Sequence, residues 1–330
     1  MKVLRLHASG DLRLHGEAIP TPGAGEVLLK VLAVGVCGSD LHWLNEAGIG
    51  DAHLARPLVL GHEFTAQTDN GIRVAVDPAV PCGACEYCKR GDPNLCENLI
   101  FAGHSEQDGA LREMMTWPER CLYALPEALT DADGAMLEPL GIAIHAVDLA
   151  HLKVGMSIGV FGCGPIGLLI IQLARLAGAS WIVATDLLPH RVQAARIFGA
   201  DEARMVKQEF SSNEAYALGD QHCDVVFEAA GENAAVEMAV FAVRPGGKVI
   251  LVGIPSDDLT SFTASIARRK GLTFKLVRRM KLTYPRAIQL VESGKVDVRS
   301  LVTHTFPLER SAEAFATAAR REGLKVIITL

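Results

Sequence analysis

The sequence predicts an α/β protein of two domains. One is β-rich with long irregular loops; the other is a doubly wound parallel sheet. Three observations lead there. From Gly155 onward, short apolar strands alternate with helices, the mark of βαβ units. A glycine run, Gly162-Cys163-Gly164-Pro165-Ile166-Gly167, sits between an apolar strand and an apolar helix. Before about residue 130 the chain instead shows strand patterning broken by loops rich in Cys, His and Gly.

Bulk properties narrow the function. A chain of 330 residues suggests about two domains. The hydrophobic share of 49% and the charged share of 21% are ordinary for a globular protein. A formal net charge of −6 argues against nucleic acid as a partner. No apolar run reaches the ~18 residues of a membrane span, and the first residues are too polar for a signal peptide. The expected location is therefore cytoplasmic. Of the 8 cysteines, Cys82, Cys85, Cys88 and Cys96 cluster, whereas Cys37, Cys121, Cys163 and Cys223 are scattered. Such a cluster in an intracellular chain points to metal before disulfides.

Taken in order, residues 1–35 alternate apolar and polar, with 27–34 the strongest strand signal. Residues 36–64 read as irregular, 74–76 as a short strand, and 110–125 as strand again. Residues 132–151 read as helix interrupted near Pro139. Then come strand 157–161, helix 165–177, strand 181–185, helix 189–198, strand 224–228, helix 233–243 and strand 248–252. A helix over 285–293, a strand over 301–306, a helix over 308–320 and a strand over 325–330 complete the chain. Arg244-Pro245-Gly246-Gly247 reads as a break.

The glycine run allows a tight turn, so that backbone N–H groups and a helix N-terminus can meet a pyrophosphate. The next strand ends at Asp186, about 20 residues on, where an acid holds the adenosine ribose. That carboxylate would repel a 2′-phosphate and so favours NAD. Arg191 could stack on adenine or pair with Asp186; a plain surface charge is the competing reading.

Two metal signals precede the run. Cys82, Cys85, Cys88 and Cys96 form C-x2-C-x2-C-x7-C, a spacing that closes four thiolates around a structural zinc. An iron–sulfur cluster uses similar spacing, but the C-P ending and second cysteine set are absent. A looser set is Cys37 with His42, then His62-Glu63, then Glu138. Thiolate, imidazole and carboxylate suit a zinc with an open position, which would ease deprotonation of an alcohol beside a hydride acceptor. Lone loop residues of these types are more often structural, and the dinucleotide motif is what lends the set weight.

Together Gly35-Val36-Cys37-Gly38-Ser39-Asp40-Leu41-His42, Gly61-His62-Glu63, the four-cysteine loop, Leu137-Glu138-Pro139-Leu140, the glycine run and Leu301-Val302-Thr303-His304 resemble the zinc-containing medium-chain dehydrogenases, in particular the polyol branch. The resemblance spans nearly the whole chain. It implies a GroES-like β catalytic domain (1–139 and 280–330), a Rossmann NAD-binding domain (140–279), and an active site in the cleft between them. Two zinc ions per chain follow from it, one catalytic and one structural. It carries zinc ligation onto Cys37 and His62, direct ligation or support onto Glu63 and Glu138, proton transfer from substrate onto Ser39, and proton passage to solvent onto His42. A structural loop histidine is the alternative for His42. Val252-Gly253-Ile254 match the strand end that meets the nicotinamide carboxamide. Edge-strand pairing around 266–277 implies a homodimer or homotetramer.

This chain departs from the family at two places. The segment from Glu63 to Val74 is shortened to a tight turn at 68–71. Beside the substrate it reads Arg278-Arg279-Met280-Lys281-Leu282-Thr283-Tyr284-Pro285, keeping Arg279 but placing Met280 and Leu282 where relatives have polar residues. That weakens hydrogen-bonded discrimination for a polyol, while Arg278 and Lys281 could bind an anionic group or lie on a solvated face. The leading expectation is hydride transfer from a secondary hydroxyl of a polyol to NAD. The rivals are a dehydrogenase of an anionic sugar acid or polyol phosphate held by Arg278 and Arg279, and a non-catalytic dinucleotide-binding protein.

Overall fold

The computed structural model describes residues 1–207 and 223–330. The chain divides into two compact units, Met1–Gly141 with Lys281–Leu330, and Ile142–Met280.

The first unit is built on an antiparallel sheet. Strand Glu26–Gly35 lies at its centre and pairs with Glu63–Thr68 on one side and Lys325–Thr329 on the other. Val302–Pro307 adds in parallel to Lys325–Thr329, so the last residues complete a sheet begun by the first 35. Leu29, Val31, Phe64, Val74, Trp117, Phe315 and Ile328 fill the core. The hairpin of Lys2–Ala8 and Asp11–Gly16 forms a second, smaller sheet with Leu58–Val59.

Two expectations change here. Residues 36–64 are not irregular throughout: Gly38–Glu46 is an α-helix that starts at Cys37 and stops at Ala47 with φ 52°. Gly, Ser, Asp and His are poor helix formers, so periodicity alone hides it; the Asp40 carboxylate caps the Cys37 N–H instead. The helix break expected near Pro139 lies at Met136, between Asp131–Ala135 and Leu137–Ala150. Pro139 sits in the first turn of the second helix, where its missing N–H costs nothing.

The second unit holds, among the described residues, a six-stranded sheet in the order Glu202–Met205, Trp181–Asp186, Ser157–Phe161, Cys223–Glu228, Val243–Leu251 and Thr273–Leu276. Every neighbouring pair is parallel. From the central strand Ser157–Phe161 the chain winds first to one side and then to the other. The order therefore reverses between that strand and Cys223–Glu228, and ligands bind at such switch points. Strand Val243–Leu251 runs through the expected break at 244–247 with a shift of register. Helix Pro165–Leu176 buries Leu168, Leu169, Ile170, Ile171 and Leu173, as its apolar sequence requires. No helix among the described residues is long and apolar enough to cross a membrane.

Candidate functional site

The first cluster is built by two strand starts and one helix start. Cys37 caps helix Gly38–Glu46, His62 and Glu63 open strand Glu63–Thr68, and Lys325 opens the C-terminal strand. Cys37, His62 and Glu63 offer ligand atoms that all lie within 4.8 Å of one another. Glu138 is outside that set. It is buried close by, and burial pushes its carboxyl up to about 7, with His62 and Lys325 opposing and Glu63 reinforcing.

Asp40 organises this cluster. Its carboxylate accepts the Cys37 N–H at 2.9 Å and the Gly61 N–H at 3.2 Å, and lies 3.6 Å from His62 Nδ1. A carboxylate behind an imidazole fixes the ring and leaves Nε2 facing the site. Ser39 Oγ is 3.4 Å from that Nε2. Burial works against charge on His62, but Asp40 and Cys37 outweigh it and hold its pKa well above the ordinary value. His42 Nδ1 lies 3.2 Å from Glu46 Oε1, one helical turn on.

Glu63 is not a lone carboxylate. Lys325 Nζ forms an ion pair with it, and both side chains are buried. Burial opposes the charge on Lys325, yet Glu63 and then Cys37 raise its pKa. Gly35 makes the room: a Cβ there would stand 2.1 Å from Glu63 Oε2 and 3.0 Å from Lys325 Cε. Residue type and spacing assign no role to Asp40 or Lys325. Asp40 is legible as a capping residue; Lys325 lies far away in the chain and carries no local signal.

A half-buried cysteine sulfur, an imidazole backed by a carboxylate and an adjacent carboxylate are a donor set that fits zinc. Cys82, Cys85, Cys88 and Cys96 also converge, with ligand atoms within 4.8 Å of one another. Backbone N–H groups of Ala84 and Cys85 point at Cys82 Sγ, each at 3.4 Å, and bring that thiol down to about 6. All-sulfur donors closed by protein suit a structural zinc. Asp92, in the same loop, pairs with Arg90 and Lys281. Lys281, on sequence alone an anion-binding or solvated group, thus braces the cysteine loop.

The glycine turn belongs to the second unit, and its glycines serve separate needs. Gly162 has φ +99°, and a Cβ on it would meet Ala230 N at 2.6 Å. A Cβ on Gly167 would meet Gly162 O at 1.9 Å, so helix and strand pack only without one. Gly164 is open: a Cβ would meet only Arg191 Nη1, at 3.7 Å. That opening, at the start of helix Pro165–Leu176, is where a pyrophosphate can approach backbone N–H groups. Pro165 and Ile166 form the first turn. Asp186 ends the adjacent strand, accepting the Cys163 N–H at 2.8 Å and the Leu188 N–H at 2.9 Å. Each carboxylate oxygen keeps a further lone pair for ribose hydroxyls. The Arg191 guanidinium lies on the open side of Gly164.

Val252 and Gly253 donate to Glu228 O at 2.8 and 3.1 Å, and Ile254 is exposed. Glu228 is buried, and its Oε1 accepts Ala230 N and Gly231 N at 2.8 and 2.7 Å, pinning the turn beside Gly253. Arg279 also belongs to the second unit and holds φ 52°, a strained value for an arginine. Met280 is buried and Leu282 exposed. Tyr284 is fully buried, donating to Val76 O at 2.6 Å and stacking on Tyr123 at 4.8 Å.

Known proteins are similar to this chain over nearly its whole length. Residues 23–127 match the alcohol dehydrogenase GroES-like domain and residues 165–293 the zinc-binding dehydrogenase model. The chain is 36% identical to sorbitol dehydrogenase of Gallus gallus over 98% of this chain and 94% of the relative. It is 34% identical to sorbitol dehydrogenase of Bacillus subtilis, covering 99% and 97%. A short chain alcohol dehydrogenase of E. coli CFT073, solved with NADH, superposes with a TM-score of 0.90 at 29% identity, covering 100% of this chain and 99% of that one. With matches over both halves and near full-length identity to sorbitol dehydrogenases, the chain belongs to the zinc-dependent medium-chain dehydrogenases, in their polyol branch.

Proposed function

We propose that this chain oxidises a secondary hydroxyl of a polyol of the sorbitol class, with NAD as hydride acceptor. The observation that carries the proposal is the convergence of Cys37, His62 and Glu63 within 4.8 Å, braced by Asp40. When bound, zinc supplies the Lewis acidity that makes a hydroxyl easier to deprotonate, and NAD supplies the hydride acceptor. Cys37 and His62 hold the metal, with Glu63 or Glu138 completing or supporting the set. Ser39 takes the substrate proton. His42, on the same helix face as Glu46, moves it towards solvent. Gly162, Gly164, Pro165, Ile166 and Gly167 seat the pyrophosphate, Asp186 and Arg191 the adenosine, and Val252, Gly253 and Ile254 the carboxamide. Arg279 orients substrate. Cys82, Cys85, Cys88 and Cys96 hold the structural zinc.

We assign residues 1–139 and 280–330 to the catalytic domain and 140–279 to the NAD domain. A homodimer or homotetramer formed through the edge strand Thr273–Leu276, where Leu276 is 73% exposed, agrees with this reading. The expected location is cytoplasmic.

The test is a panel of neutral polyols, sugar acids and sugar phosphates assayed with NAD. NADH formation on neutral polyols, lost on metal removal, is the expected result; turnover of phosphorylated substrates alone would overturn it. A paired substitution checks the cofactor seat. Gly164→Ala is expected to leave the melting temperature nearly unchanged while raising KM for NAD about tenfold, since the added methyl crowds only the open approach. Gly167→Ala is expected to destabilise the protein by about 2 kcal/mol, because its methyl cannot avoid Gly162 O.

A further inference from the structure

Away from both metal centres, the N-terminal hairpin brings two histidines together. His7 is on strand Lys2–Ala8 and His15 on strand Asp11–Gly16, and both are half-buried. Their Nε2 atoms stand 2.7 Å apart, with ring centroids at 4.9 Å. They line a concavity of about 380 Å³ together with Arg5, Gly16, Glu17, Arg56 and Pro57.

The neighbouring cations are already committed. Arg5 is bound to Glu17 at 2.5 and 2.9 Å and to Asp108 at 3.0 Å. Arg56 lies 3.7 Å from Asp108. Arg13 is bound by both oxygens of Asp11 at 2.8 and 2.6 Å. The concavity therefore has little free positive charge to offer an anion. What it offers is two imidazole nitrogens, with Asp11 close enough to feel His7 and Glu17 close enough to feel His15.

We infer that His7 and His15 form a third metal site, one that takes a divalent transition ion of tetragonal preference, Cu²⁺ or Ni²⁺. Two nitrogens at about 2.0 Å from one ion stand roughly 2.8 Å apart at a right angle and about 3.3 Å apart at the tetrahedral angle. The observed 2.7 Å matches the right angle. That geometry favours Cu²⁺ or Ni²⁺ over Zn²⁺, and Cu²⁺ leads the affinity order for nitrogen donors. The inference stands apart from the proposed activity, because neither histidine belongs to the zinc or dinucleotide sites.

The experiment uses the zinc-loaded full chain, titrated with CuCl₂ and NiCl₂. Binding is followed by calorimetry, and by electron paramagnetic resonance for Cu²⁺. One added Cu²⁺ per chain with splitting from two imidazole nitrogens is expected. His7→Gln and His15→Ala should each weaken binding at least about tenfold, the loss of one of two ligands. Both variants should keep wild-type melting and dehydrogenase activity. Three results would overturn the site: unchanged Cu²⁺ binding in both variants, a spectrum of sulfur ligation alone, or equal displacement by an equimolar amount of Zn²⁺.

Discussion

His62→Ala is expected to reduce turnover by on the order of 10³-fold or more, the cost of several kcal/mol of lost charge stabilisation. The physical reason lies in the donor set. Its ring is braced from behind by Asp40 at 3.6 Å, and Ser39 lies 3.4 Å from its other nitrogen. Removing it takes away a ligand and the group that orients Ser39. Metal analysis should show zinc content falling by about one ion per chain while the all-cysteine site keeps its own. Asp40→Asn is the graded companion. It keeps the shape but weakens the brace, and a loss of about 10- to 100-fold in metal affinity is expected. Full activity in His62→Ala, or loss of both zinc ions at once, would sink the assignment.

Lys325→Met should destabilise the protein by about 3–5 kcal/mol, because it leaves Glu63 buried without its partner. For a unit of this size that is a fall of about 10 °C in melting temperature. The double variant Lys325→Met/Glu63→Gln removes both charges and should regain most of the loss. Such a recovery is the sign of a buried ion pair, as opposed to lost packing. Thermal melts of the wild type, both single variants and the double variant decide it. If the double variant melts no higher than Lys325→Met, the pair is not what holds Lys325 in place.

Several site residues are legible in the sequence because their chemistry is local. Cys82, Cys85, Cys88 and Cys96 sit within one loop, and a spacing of two residues suffices to turn neighbouring thiols towards one ion. The glycine run is also local, since a strand, a tight turn and a helix start are consecutive. Even there, sequence does not separate the three glycines. Only packing shows that Gly162 and Gly167 have no space for a methyl, whereas Gly164 is open towards Arg191.

Helix Gly38–Glu46 shows the opposite case. Its residues have weak helical preference, and it is started by a contact from Asp40 to the Cys37 backbone. Lys281 is a similar case: its charge suggests an anionic substrate, but Asp92 on the cysteine loop takes it up.

Sequence by itself determined the two-domain α/β class, the dinucleotide turn with its acid Asp186, the four-cysteine loop, and Cys37, His62 and Glu63 as ligand candidates. These depend on residue type and short spacing. The tertiary structure alone decided what surrounds them. It set Lys325 against Glu63, Asp40 behind His62, Glu228 beneath the turn at Gly253, and His7 against His15. Each is a pairing of groups from separate elements or from separate positions along the chain. Whether such groups meet depends on strand order and register, which no local pattern encodes.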